Sequence, residues 1–304
     1  MTEKIKRILL QLFVLLFIFS IILYITDIEE GFFETIHQKT VYLIWRNKTK
    51  DTNHGFGDKL RGAIYLYQHC KKNNLNFKID GTNDICSKFL KNIVSPDYDT
   101  IKNKELTNLI NIEGDAIMKD LFILNNTIYV YSNTWPIDEL NADDKLFGRF
   151  ICEPTDELKT ELKAKLEKIP EKFGIQHFRF NDVVFKEDVT SVNPTFQKYF
   201  SLLSQTIQPT DILFTNSNNF KKYAKDHFHI KTIDCDGEFC KVQHIGESTD
   251  HESVKNSFIE FCILTKAKYI KSYSCYEWPS GFVYWPAKIY DIPIETTYID
   301  EESL

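Results

Sequence analysis

Residues 175–182 read Ile-Gln-His-Phe-Arg-Phe-Asn-Asp, and the apolar run from Phe173 to Phe180 around them reads as a β-strand. His177 and Arg179 are two residues apart, so on a strand they project to the same face. A histidine and an arginine together near a strand end need a partner. Arg179 can grip a phosphate through two parallel charge-assisted hydrogen bonds, or it can close a salt bridge with Asp182 just beyond the strand. In the first case Asp182 orients the arginine or holds the loop.

Outward from this strand the pattern alternates. Asp211–Thr215 and Ile230–Ile233 read as further strands, with a helix over 218–227 between them. Glu252–Lys266 is an amphipathic helix carrying Val254, Phe258, Phe261 and Leu264, and Tyr269–Ser272 is another strand. Pro279–Tyr290 is a helix that Pro286 should start late or kink. Upstream, Val41–Trp45 is a strand that runs into the loop His54-Gly55-Phe56-Gly57. A helix follows with Leu60, Ile64 and Tyr67 on one face, and Asp58 stands where it can cap that helix or favour its positive end. Strands are expected at 77–79 and 128–131, and Thr155–Lys168 is a helix with leucines stacked at 158, 162 and 166. Such alternation predicts α/β architecture with a parallel sheet in each half, and a ligand cleft at the carboxyl ends of the strands. The boundary is expected near residue 170, giving domains over 41–170 and 171–304.

The chain has 304 residues, 43% of them hydrophobic and 14% aromatic, so it has ample material for a core. Its formal charge of −6 argues against a nucleic-acid partner and leaves room for one local basic pocket. Residues 8–25 are apolar and uncharged, and as a helix would extend about 27 Å, close to a bilayer's hydrocarbon thickness. Lys4, Lys6 and Arg7 precede this run and Asp27, Glu29 and Glu30 follow it. The expectation is therefore a cytoplasmic tail over 1–7, a transmembrane signal anchor over 8–25 and a stem over 26–40, with the remainder in the lumen of the Golgi apparatus or endoplasmic reticulum. In that oxidising compartment Cys235 and Cys240, flanking Asp-Gly-Glu-Phe, are the best disulfide pair among seven cysteines, and Cys262 is a core thiol. Asn47 and Asn125 open glycosylation sequons, whereas Asn193-Pro194-Thr195 is blocked by its proline.

Two other segments bear on the reading of Arg179. In residues 55–62, Gly-Phe-Gly-Asp-Lys-Leu-Arg-Gly, glycines sit on a strand-to-helix loop where backbone can approach a ligand. In Trp278-Pro279-Ser280-Gly281-Phe282, Ser280 and the amides of Gly281 and Phe282 fall at a helix start suited to an anion. The plain alternatives are a tight turn and a serine cap.

In this order the segments Gly55–Arg61, His177–Asp182, Ile212–Ser217 and Ser280–Ala287 with Ile292-Pro293 resemble the fucosyltransferase superfamily of GT-B glycosyltransferases. The resemblance implies two Rossmann-like domains facing a cleft and an inverting, metal-independent transfer of fucose from GDP-fucose to a glycan or glycoprotein hydroxyl. It implies that Arg179 binds the diphosphate, that His177 contacts the nucleotide, and that Ser280, Gly281 and Phe282 complete the phosphate cradle. Thr215, Asn216 and Ser217 fall in the donor site, and His54, Gly55, Phe56, Gly57, Asp58 and Arg61 face the cleft or acceptor. Asp58, His54 and Asp182 are the candidate bases, in that order. Many relatives have an acid where Asn216 stands, and an amide offers guanine only one oxygen acceptor. Asp234, Asp236 or His244 is then needed to read the base. Two other readings stay open: Asp234-Cys235-Asp236 as a D-x-D metal site of a different glycosyltransferase class, and a membrane-tethered glycan-binding protein without catalysis.

Overall fold

A computed structural model of the chain describes residues 39–45, 54–110, 113–121, 127–185, 187–235, 238–245 and 250–299. The expected anchor at 8–25, its flanking tail and most of the stem, the sequons at Asn47 and Asn125, and Asp236 lie outside the described residues. Among the described residues no helix is long and apolar enough to cross a membrane.

Thr40–Leu304 forms one compact unit holding two four-stranded sheets, each with every pairing parallel. The first has the order β2-β1-β4-β3, from β1 (Thr40–Ile44), β2 (Asn76–Asp80), β3 (Thr107–Leu109) and β4 (Ile128–Ser132). The second has the order β10-β9-β5-β6, from β5 (Gly174–Arg179), β6 (Ile212–Thr215), β9 (Tyr269–Ser274) and β10 (Ile294–Tyr298). A two-stranded antiparallel ribbon, β7 (Asp234–Cys235) and β8 (Glu238–Phe239), carries the Cys235–Cys240 disulfide, as the spacing suggested. Cys262 is a buried free thiol.

The helices are α1 (Phe56–Lys72), α2 (Tyr98–Ile101), α3 (Glu113–Leu121), α4 (Ala142–Ile151), α5 (Asp156–Leu166), α6 (Pro194–Thr206), α7 (Asn218–Phe228), α8 (His251–Leu264) and α9 (Gly281–Tyr290). Parallel strands need crossovers, which the helices between them supply. Buried on both faces, β1 and β5 read as near-continuous runs rather than alternations, with Val41–Ile44 and Gly174–Phe178 all inaccessible. Phe178 and Phe180 enter one core cluster with Phe196, Tyr199 and Phe220, while Ile175 enters the larger one. That larger cluster runs through both halves: Phe56 at the start of α1 packs on Phe258 and Phe261 of α8, with centroids 5.1 and 4.9 Å away.

One expected strand is absent. Residues 230–233 make only an isolated bridge, Ile212 to Lys231, beside β6. The cause is local: α7 ends on His229 in the left-handed region (φ 52°), and the chain then turns into the β7–β8 ribbon. Helix α9 starts at Gly281 and runs through Pro286; the proline leaves the carbonyl of Phe282 without its usual donor.

Candidate active site

β1, β4, β5, β6 and β9 all run parallel within their sheets, so their carboxyl ends gather the loops that follow them. Those loops line a cavity of about 820 Å³. His54 through Asp58 and Arg61 come to it from the loop and first turns of α1, and Asn133 and Trp135 from the loop after β4. The second half contributes His177, Arg179 and Asp182 from β5 and its exit, Thr215 and Asn216 from β6, and Val242 through Ile245 from the loop before α8. Tyr276 and Trp278 through Phe282 close it from the loop after β9 and the start of α9.

Two sequence segments more than 200 residues apart meet at this wall. A Cβ on Gly57 would lie 2.4 Å from the backbone carbon of Gly281, and one on Gly281 would lie 3.3 Å from the Cα of Gly57. Any side chain at 57 would push the two helix starts apart, which is why glycine stands there. Both starts lack a side-chain cap: α1 begins after Gly55, and the Ser280 hydroxyl does not bond its own helix. By contrast, Asn141, Thr155, Asn193, Ser217 and Asp250 cap α4 through α8 with side-chain oxygens. The plain reading of Ser280 as a helix cap is thereby removed. Amides in the first turn of a helix have no intrahelical acceptor and carry the positive end of its dipole. Two such ends therefore face one cavity.

Arg179 lines the same cavity with its side chain 16% exposed, and it ion-pairs with Asp182, which is far more open. Asp182 also accepts a hydrogen bond from Tyr276 Oη at 3.1 Å, and its own amide donates to that oxygen at 3.0 Å. The guanidinium carbon stands 5.8 Å from the Tyr276 ring centre. Burial, with Asp182 adding to it, pushes the Tyr276 hydroxyl up to about 12. The salt bridge expected as the bland alternative is present, yet it lies inside the cavity. It presets the arginine and leaves it facing the space a ligand would fill.

His177 is buried, bonds Ser272 Oγ through Nδ1 at 3.0 Å and stands near-parallel to the Phe282 ring with centroids 6.5 Å apart. Burial first, and then the nearby Arg179, pull its pKa down to about 3. Burial and Arg179 likewise draw His244 down to about 4. Both imidazoles are neutral at physiological pH and can accept or donate single hydrogen bonds, while the fixed positive charge at this wall is the guanidinium.

Some expected donor-site residues have other work. Asn216 touches the cavity, but its amide grips the Phe180 backbone at both ends, 2.8 Å from the amide nitrogen and 3.1 Å from the carbonyl. Ser217 is not a cavity residue; it caps α7 through Phe220 N and donates to Asp188 at 2.5 Å. Thr215 lines the wall while its hydroxyl accepts from Ser217 N. Asp234 is exposed on the β7–β8 ribbon, ion-paired with Lys225 at 2.8 Å and outside the cavity lining.

Glu260 is a cavity carboxylate the sequence reading passed over. It is 2% exposed on α8, its pKa raised by burial, and it pairs at 2.5 Å with the fully buried Lys221. A lone acid inside the apolar run Ser257–Leu264 was the available signal. On the opposite side, Asp58 pairs with Arg61 at 3.1 Å, and Arg61 Nε donates to the carbonyl of Asn133 at 2.5 Å.

No protein-family model matches the chain, and no curated protein matches it in sequence. Solved structures do. A NodZ α-1,6-fucosyltransferase co-crystallised with GDP superimposes with a TM-score of 0.53 at 12% identity, covering 86% of this chain and 95% of that one. The chain has a fucosyltransferase-like fold. Fucosyltransferase NodZ from Bradyrhizobium aligns at 13% identity with a TM-score of 0.50, over 82% of this chain and 92% of its own. NodZ soaked with GDP-fucose gives 12%, 0.50, 84% and 94%. At such identities the likeness concerns the fold: a mixed α/β fold with parallel sheets resembling the GT-B fucosyltransferases.

Proposed function

We propose that this chain is an inverting glycosyltransferase that moves a sugar, most simply fucose, from a GDP-linked donor to a carbohydrate hydroxyl. The observation that carries the reading is the convergence, on one cavity wall, of Arg179 with the two uncapped helix starts at Gly57 and Gly281. A diphosphate is the ligand whose size and charge match a bidentate cation flanked by two helix starts.

Cleavage of the sugar–phosphate bond sends its electron pair to the diphosphate while positive charge grows on the sugar. A prearranged guanidinium and helix-start amides stabilise that departing charge in a water-poor site. In a single displacement the acceptor oxygen attacks the anomeric carbon from the opposite face and surrenders its proton to a base. Asp58 is preferred to Asp182, because Asp182 is bonded to both Arg179 and Tyr276, whereas Asp58 pairs with Arg61. For the base of the nucleotide, His244 and Glu260 are the groups on the lining that replace Asn216, with Glu260 already bonded to Lys221 through Oε1.

In this reading no metal serves the leaving group, since Arg179 and the amides take that part. The apolar run 8–25 and its flanking charges support a type II anchor, and the Cys235–Cys240 disulfide suits a lumenal setting. A donor-hydrolysis screen tests the function. Turnover of GDP-fucose above GDP-mannose and UDP-sugars, persisting in EDTA, is expected. A preference for a UDP-sugar, or loss of activity in chelator, would overturn the donor or the metal-free mechanism respectively.

A further inference from the structure

The cavity has a second chemically distinct wall. Trp135 follows β4 in the segment Asn133-Thr134-Trp135-Pro136 and is 39% exposed although it lines the cavity. The guanidinium of Arg61 covers it at 4.5 Å from the ring centre, and Trp285 of α9 braces it with centroids 5.7 Å apart. The loop beneath is pinned. Asn133 and Thr134 are each 2% exposed, and the Asn133 amide and the Thr134 hydroxyl both donate to the Leu109 carbonyl, at 3.1 Å each. Just beyond, the amide of Ile137 donates to Gln68 Oε1 at 2.8 Å. An indole kept open to a cavity by so rigid a frame is not filling a core. Next to it stand a carboxylate and a guanidinium, Asp58 and Arg61, already paired to each other.

A partly exposed indole with Arg61 over one of its faces and hydrogen-bonding groups around it matches the two-sided chemistry of a pyranose, whose axial C–H bonds make an apolar face and whose equatorial hydroxyls radiate from its edge. We propose that Trp135 is the acceptor platform: an equatorially substituted pyranose stacks on the open face of its indole and directs one hydroxyl to Asp58. This rests on the function proposed above, and it deepens that reading by naming the acceptor class and the residue that selects it.

Saturation-transfer NMR with cellotriose, an all-equatorial probe, tests the platform on the protein alone, without donor or turnover. The axial ring protons should receive the strongest saturation, sorbitol should not compete, and Trp135→Leu should weaken binding about tenfold, with Trp135→Phe recovering part of it. In transfer assays the acceptor KM should rise by a similar factor in Trp135→Leu. GDP titration of each variant verifies that the fold and donor site are intact. Unchanged cellotriose saturation in Trp135→Leu, equal competition by sorbitol, or loss of binding in Trp278→Leu but not in Trp135→Leu would overturn the proposal. Failure of GDP to bind would instead sink the donor reading, and the NMR result would still decide the platform.

Discussion

Arg179 carries the largest share of the chemistry, and its surroundings explain why a lysine would not serve. Asp182, held by Tyr276, sets the plane of the guanidinium, and an ammonium offers a diphosphate no planar fork. Arg179→Lys should lower kcat by roughly 10²-fold or more while the circular dichroism spectrum is unchanged; turnover within a few-fold of the parent would remove the arginine from its role. Buried His177 and half-buried His244 make a second residue-level prediction. Their folded pKa values of about 3 and about 4 lie below the ordinary histidine value of 6.5, so below pH 6.5 the unfolded chain binds protons that the folded chain refuses. Their stabilising contribution is complete above pH 6.5 and is lost as pH falls towards 4 and then 3. Going from pH 7.5 to 5.5 should cost about 1–2 kcal/mol for each histidine, visible as a falling Tm, and His177→Gln should flatten that slope. A Tm independent of pH over this interval would show that these imidazoles are not buried neutral.

Among the elements, α1 and α9 decide the site because they touch through glycine. Gly57→Ala places a methyl within 2.4 Å of the Gly281 backbone and should cost about 1–3 kcal/mol, with weaker GDP binding than the Tm loss alone explains. Ser280→Ala should leave Tm almost unaltered, since its hydroxyl caps nothing, yet weaken GDP binding; a clear loss of stability would mean that the serine serves the helix. Much at this scale was legible in the sequence. The glycine loop, the His177–Arg179 strand and the Ser280 turn were each readable from local pattern, and the cavity brings them together. What escaped had weak local signals or competing ones. β3 is three residues with a polar middle, Thr-Asn-Leu, and β10 is an edge strand whose centre is Glu-Thr-Thr. Residues 230–233 have strand composition but lose their pairing to the turn after His229. The partners of Asn216 and Ser217 are set by tertiary contacts with Phe180 and Asp188, which no periodicity reports.

At the scale of the whole molecule, one apolar cluster joins residues from both sheets, from Val41 and Leu43 to Ile270 and Ile292, through the Phe56–Phe258–Phe261 contact. A shared core of this kind predicts one cooperative unfolding transition. Calorimetric scanning should give a single peak, and two well-separated transitions would contradict it. The same junction joins the start of α1, on the cavity lining, to α8 of the second half, and the proposed function puts GDP in that cavity. Titration calorimetry with GDP tests this most directly. The account predicts a saturable exothermic isotherm for the parent protein in EDTA, weaker binding of UDP, and at least a tenfold loss of GDP affinity in Arg179→Lys. No heat at millimolar GDP, or equal affinity in that variant, would contradict it.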